Sequence, residues 1–238
     1  MNKGTIQEQL QRQGSPAHTY QRKMVGDQGF LYFLTYELVS TLVSPLPSRI
    51  GAWLRQRVLS PLLGGCGRGV ILHKDVAIRR PRQVFLGRRV VLEAGVTLDV
   101  KGNGGRIAIH DDVHIGRGTI LSCPGGELVI GAGTRIGSHC RLGSLEGLSV
   151  GRTCVIGNYA CLVGAGHGFD DPDTPIIRQP LTCRGKTIVG DNVRIGRRTT
   201  VLDGVELGER AVVAPGTLVN RDIPAGACAH GVPVVVEE

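Results

Sequence analysis

From Leu86 onward an aliphatic residue recurs every six positions, often with Gly directly after it and a small or β-branched residue four places on. The longest run is Val189, Ile195, Val201, Leu207, Val213 and Val219, accompanied by Gly190, Gly196 and Gly208 and by Val193, Thr199, Val205, Ala211 and Thr217. Earlier runs are Leu86, Leu92, Leu98; Ile109, Ile115, Leu121; Ile130, Ile136, Leu142; and Val150, Ile156, Leu162. A helical stripe drifts at about 3.6 residues and a hairpin strand alternates at about 2, so neither sustains such a period. A chain that turns a corner at each repeat does. Three sides make a triangular coil of about eighteen residues, and stacked coils pile the aliphatic positions into an internal ladder. The predicted fold is an all-β solenoid.

Coils beginning at 86, 109, 130, 150, 189 and 207 are spaced 23, 21, 20, 39 and 18 residues apart. Small excesses read as surface bulges at KGNGG (101–105) and CPGG (123–126), and the long spacing implies a loop of about 21 residues within 164–187. A long loop thrown from a rigid solenoid is the expected seat of function. Leu72, Val76 and Ile78 form a partial first coil, and the aperiodic stretch after Val219 caps the last. The expected organisation is a helical segment over 1–65, the β-helix over 66–222 and a cap over 223–238.

The N-terminal part follows a different period. Phe30 to Val43, closed by Pro45 and Pro47, places Glu37, Ser40, Thr41 and Ser44 on one narrow helical stripe opposite a wide aromatic and aliphatic face. It falls short of the roughly 20 apolar residues of a membrane span. A second amphipathic stretch follows, with Ile50, Trp53, Leu54 and Val58 on one face and Arg49, Arg55 and Arg57 off it. Composition sharpens the division: the chain has 238 residues with 36 Gly and only nine aromatics, six of which (Tyr20, Phe30, Tyr32, Phe33, Tyr36 and Trp53) lie in the first third. The net charge of +8 belongs wholly to residues 1–83, which hold 12 Lys and Arg against 4 Asp and Glu. Apolar faces edged by Trp, Tyr and Arg suit peripheral contact with an anionic membrane surface through residues 28–60. A helical cap packed on the solenoid or on another subunit is the alternative. No nucleic-acid-binding platform is recognisable, so nucleic acid is not expected as a partner.

Seven cysteines form no CxxC pair, and the polar start MNKGTIQEQLQRQG lacks the apolar stretch of a signal peptide. A cytoplasmic protein with reduced thiols is expected, at the inner face of the membrane if the helices bind lipid. His110, His114, His139 and His167 show no His-x4-His pair, so no metal is expected.

The long loop reads GAGHGFDDPDTPIIRQPLTCRGK, and its His167, set between Gly166 and Gly168, is open to a substrate. Residues 109–233 resemble the hexapeptide-repeat acyltransferases, a left-handed parallel β-helix family that moves acetyl groups from acetyl-CoA to hydroxyls or amines. HGFDDPDTPIIRQPL, IVGDNVRIG, VLDGVELGERAVVAPGTLVNRDIPAG and HGVPV are similar to stretches of its sugar and polysaccharide O-acetyltransferases. The resemblance implies that His167 is the catalytic general base, an imidazole that takes the proton of an attacking sugar hydroxyl. No Ser or Cys nucleophile pair accompanies it, and Cys161 and Cys183 read as bystanders, so direct transfer is expected.

The same resemblance implies acetyl-CoA contacts at Arg197, Ala214, Pro215, Gly216, Asn220 and Arg221, with Arg221 toward a CoA phosphate, in the groove between prisms of a homotrimer. Acceptor contacts are implied at Ser138 and His139, beside Gly137 where galactoside acetyltransferase carries Asn, and at Asp170. Asp170 or Asp171 either orients the imidazole or simply shapes an Asp-Pro turn. The chain departs from its relatives at Ala165, where many carry a second His, at Arg194 in place of Trp, and at Val235 in place of a CoA-contacting Arg. The implied activity is O-acetyl transfer to a sugar or glycan acceptor, a polysaccharide or lipopolysaccharide precursor, lipid-linked ones included. The alternatives are a non-catalytic β-helix scaffold and an acyltransferase acting on a small soluble sugar or an amine.

Overall fold

The computed structural model describes residues 15–237 apart from Asn103 and Ser144. Residues 1–14 of the helical segment and Glu238 of the cap lie outside the described residues. Beyond the helices the chain winds into a three-sided prism whose faces are sheets of seven, nine and seven strands, parallel except for the last pair of the nine. Face A runs from Gly65–Cys66 to Glu206–Leu207, face B starts at Ile71–Leu72, and face C runs from Ala77–Arg79 to Leu218–Val219. The expected solenoid is therefore present, starting one partial coil earlier than the regular sequence period.

The six-residue period is the register of the stack. On face B, Leu72, Leu92, Ile115, Ile136, Ile156, Ile195 and Val213 are successive parallel partners. Each is buried, and from Leu92 onward each backbone pairs with the strand above and the strand below. The small residue four places on lies at a corner with its side chain inward. There Thr119 and Thr134 donate to the Gly137 and Gly151 carbonyls at 2.8 Å, and the Cys140 and Cys154 thiols donate to the Gly157 and Gly190 carbonyls at 3.1 Å. A corner carbonyl left unpaired inside the prism would cost about 1–3 kcal/mol, which explains Thr and Cys at these positions. The glycine after each ladder residue has a steric reason: a Cβ on Gly157 would lie 2.7 Å from the Arg197 nitrogen of the next coil.

Three helices lean against the N-terminal end: α1 (Pro16–Val25), α2 (Phe30–Leu42) and α3 (Ser48–Leu59). Ser15 caps α1 by accepting from the His18 N–H at 3.3 Å, and Pro16 occupies its first turn. The side of α2 bearing Tyr36 and Val39 is buried, with Tyr32 donating to the Leu62 carbonyl at 2.6 Å. Its leucine side is left outside: Leu31, Leu34, Leu38 and Leu42 are all exposed, as are Ile50 and Trp53 on α3. One expectation changes here. Arg55 does not project beside the apolar face but is 2% exposed, donating to the carbonyls of Leu72 (2.8 Å), Ser44 (3.2 Å), Val43 (3.3 Å) and Leu46 (2.5 Å). It straps the turn between α2 and α3 to the first coil, and only Arg49 and Arg57 of the three stay at the surface.

At the other end, Cys228–His230 extends face B and turns back into Val235–Glu237, closing the last coil with an antiparallel pair.

Candidate functional site

The chain leaves the prism after the face C strand Cys161–Leu162 and re-enters it at Thr187–Val189. The excursion is shaped at its base by a two-stranded antiparallel pair, Gly166–His167 with Leu181–Thr182, and by the Gly168 N–H donating to the Pro180 carbonyl at 2.9 Å. Its far part is held by Gln179, which is 6% exposed. The Gln179 amide donates to the carbonyls of Asp171 (2.7 Å) and Thr174 (2.9 Å) and accepts from the Asp171 N–H at 3.3 Å. Asp171 shapes the adjoining turn, its carboxylate accepting from the Asp173 N–H at 3.0 Å. The Thr174 hydroxyl and the Asp173 N–H hold that carboxyl below the usual carboxylate range.

His167 is exposed at the rim of this loop, and its Nδ1 lies 3.4 Å from the backbone carbonyl oxygen of Gln179. A carbonyl only accepts, so the contact selects the tautomer with the proton on Nδ1 and leaves the Nε2 lone pair free. A neutral imidazole presented in this way can accept a proton from a bound hydroxyl.

Beside His167 opens a cavity of about 390 Å³, within the range of small-ligand sites. Its wall is face C and the adjoining edge of the coils before the loop, contributing Lys101, Ser122, Pro124, Arg141, Gly143 and Cys161; the loop supplies Gly164, Ala165, Gln179 and Leu181. Burial raises the Cys161 thiol above its ordinary value, which keeps it protonated.

Of the residues singled out from sequence, His167 lines this cavity, and Asp170 is exposed three residues further along the loop. Ser138 and His139 stand elsewhere, on the edge between faces B and C, where the His139 ring stacks on Tyr159 at 5.5 Å and Arg198 lies 5.8 Å from the Tyr159 ring centre. Arg197, Ala214, Pro215 and Gly216 continue that edge on the following coils, the Gly216 N–H donating to the Arg197 carbonyl at 2.8 Å. Asn220 and Arg221 follow the last face C strand, on the edge from which the His167 loop springs, and Arg221 donates to the Val234 carbonyl at 3.3 Å. The Ser138–Gly216 column and His167 are thus separated by the width of face C within one chain. Lys101, Ser122, Arg141 and Gln179 were not singled out. Arg141 had a signal: it directly precedes a ladder residue, in one outward column with Ile120 and Cys161.

Residues 186–221 match the family described as bacterial transferase hexapeptide (six repeats). The chain is 52% identical over 50 residues to a putative acetyltransferase, YvoF, of Bacillus subtilis (strain 168), which is 21% of this chain and 29% of that one. It is 30% identical over 163 residues to UDP-3-O-acylglucosamine N-acyltransferase 2 of Rhodopseudomonas palustris (strain BisB18), 62% of this chain and 38% of that one. The chain thus spans well under half the length of these curated relatives. Among solved structures, it resembles the polySia specific acetyltransferase NeuO (TM-score 0.55, 20% identity, 74% of this chain and 82% of that one). It also resembles AntD, an N-acyltransferase from Bacillus cereus in complex with dTDP-4-amino-4,6-dideoxyglucose and Coenzyme A (TM-score 0.54, 19% identity, 77% and 87%). At such identities the structural likeness bears on the fold. Repeat, family match and three-sided parallel stack agree on a β-solenoid built of hexapeptide repeats.

Proposed function

We propose that this protein is an acetyl-CoA-dependent O-acetyltransferase acting on a sugar or glycan hydroxyl, with His167 as its general base. The observation that carries the reading is the Nδ1 contact of His167 with the Gln179 carbonyl, which frees Nε2 at the mouth of the cavity. In this reading His167 takes the hydroxyl proton as the oxygen attacks the thioester carbonyl, then returns it to the departing CoA thiolate, so no covalent enzyme intermediate forms. The acyl donor would approach from the later coils. Arg197 is exposed there, and a Cβ on Gly216 would meet nothing within 4 Å, so the backbone is open beside a cation suited to a phosphate. The matched relatives and fold neighbours are named as acyltransferases, which supports the reaction class.

Because the Ser138–Gly216 edge and His167 lie apart in one chain, the complete site would need a neighbouring prism, and a homotrimer supplies it. The exposed loop side chains Phe169, Ile176 and Ile177 support this: a second copy would cover them. The helices α2 and α3 would rest on an anionic membrane surface at the cytoplasmic face, which suits a lipid-linked acceptor. Incubation with acetyl-CoA and a glycan panel, read by mass spectrometry, tests the activity. An added acetyl group released by mild alkali indicates an ester, an alkali-stable one an amide, and no transfer to any acceptor overturns the reading. Light scattering at micromolar protein tests the trimer, which a monomer would refute.

A further inference from the structure

The geometry points to an acceptor that carries a negative charge next to the hydroxyl to be acylated, held by Arg141 and Lys101. The inference rests on the transferase reading for its link to catalysis, but the binding property can be measured without it.

Some surface arginines of this prism pair with an acid of the adjacent coil. Arg88 pairs with Asp111 at 2.7 Å, Arg89 with Asp112 at 2.6 Å and Arg152 with Asp191 at 2.7 Å, all along one edge. Arg141 is exposed in the wall of the His167 cavity, and among the described residues no carboxylate lies within ion-pair distance of it. Lys101 shares its partner. The buried carboxylate of Asp99 lies 3.5 Å from the Lys101 ammonium and 3.2 Å from the Arg79 guanidinium, so one acid serves two bases. Among the described residues no Asp or Glu lines the cavity. The site therefore holds an excess of positive charge beside His167, on the side away from the coils assigned to the acyl donor.

A guanidinium presents parallel N–H donors that fit a carboxylate or a phosphate in two-point contact. The half-buried side chains of Val163 and Leu181 in the same cavity give an apolar surface that suits the C–H face of a sugar ring. The acceptor class is thus a sugar bearing a carboxylate or a phosphate, bound so that a neighbouring hydroxyl reaches Nε2 of His167. Charge-assisted contacts of this kind are worth on the order of tenfold to a hundredfold in affinity.

The test measures binding of glucose, glucuronate and glucose 1-phosphate to the full chain by titration calorimetry without acetyl-CoA, then initial rates with it. At least one anion should bind about tenfold or more tightly than glucose, and the better of the two identifies the carboxylate or the phosphate as the recognised group. Arg141→Gln should abolish the preference, Arg141→Lys should retain part of it, and CoA affinity should stay unchanged in both. If Arg141→Gln fails to fold, Lys101→Gln and a rise to 0.5 M salt should each weaken the wild-type preference. Equal binding of glucose and both anions overturns the inference, as does a loss of CoA affinity in place of anion preference. Anion binding through Arg141 with no acetyl transfer would instead overturn the transferase reading and leave this site standing.

Discussion

The imidazole of His167 and the backbone carbonyl of Gln179, 3.4 Å apart, face each other across the base of the long loop. The Gln179 side chain ties the far part of the same loop, so one residue fixes both the loop's shape and the tautomer of the base. His167→Ala should lower kcat by on the order of a hundredfold or more while CoA affinity holds. Gln179→Ala keeps its backbone carbonyl but strands two carbonyls that its amide now satisfies. It should reduce kcat by roughly tenfold, with a smaller effect on Tm because the loop lies outside the prism core. Steady-state kinetics with calorimetric CoA binding checks both, and unchanged kcat in Gln179→Ala would remove its positioning role.

Cys161 lines the cavity, yet its thiol is pushed up by burial and has no imidazole partner among the described contacts. Direct transfer makes it dispensable. Cys161→Ser should keep kcat within about threefold of the parent, since a hydroxyl replaces a protonated thiol of similar size. Rapid quenching and intact-mass measurement during turnover should find no acetylated protein. A dead Cys161→Ser variant, or a trapped acyl adduct, would restore the two-step route.

Acid should weaken the prism through its edge aspartates. Backbone and side-chain hydrogen bonds from Arg88 hold the Asp111 carboxyl below its ordinary value, and the same groups of Arg152 do so for Asp191. A carboxyl with a depressed folded-state pKa contributes stability that is fully present above its unfolded value, about 3.9, and is lost as pH falls through the folded value. Tm should therefore be level from pH 7 to about 5 and decline below about 4. Because both pairs are solvent-exposed, each effect should be small. Asp191→Asn should lower Tm slightly at pH 7 and flatten the decline in scanning calorimetry; an identical acid profile would show that other groups dominate.

Nearly all of the solenoid was legible because one period writes both its ladder and its corners: Leu92, Ile115 and Ile136 are six-residue positions and also hydrogen-bonded neighbours. The length of the loop followed from the 39-residue spacing, whereas His167 became a candidate base through the family resemblance and not through the open Gly-His-Gly alone. The cavity wall was not legible. Lys101 and Arg141 are far apart along the chain, and they meet only because coil spacings of 23 and 21 residues bring them onto one side of the prism. Gln179 looked like an ordinary polar loop residue, since nothing local marks a buried amide. Arg55 was misplaced for a related reason: a helical wheel shows which residues share a face, but not that four carbonyls from a turn and a coil would converge on one guanidinium.

The leucine side of α2 leads to the last prediction. Leu31, Leu34, Leu38 and Leu42 recur at helical spacing on the side that the prism leaves uncovered, and Ile50 and Trp53 are exposed on α3. The described residues up to 83 carry 10 Lys and Arg against 3 Asp and Glu, so the apolar surface sits in a basic field. No described helix is long and apolar enough to cross a membrane, and the prediction concerns contact in the plane of the interface. Trp53 is the chain's single tryptophan and reports on this directly. Vesicles containing phosphatidylglycerol should shift its emission to the blue and carry the protein down in sedimentation, and phosphatidylcholine vesicles should do neither. Leu34→Glu with Leu38→Glu should weaken sedimentation by about tenfold or more at unchanged Tm, because both side chains already lie in water. If these charges instead dissociate an oligomer and leave vesicle binding intact, the face belongs to a second copy of the chain.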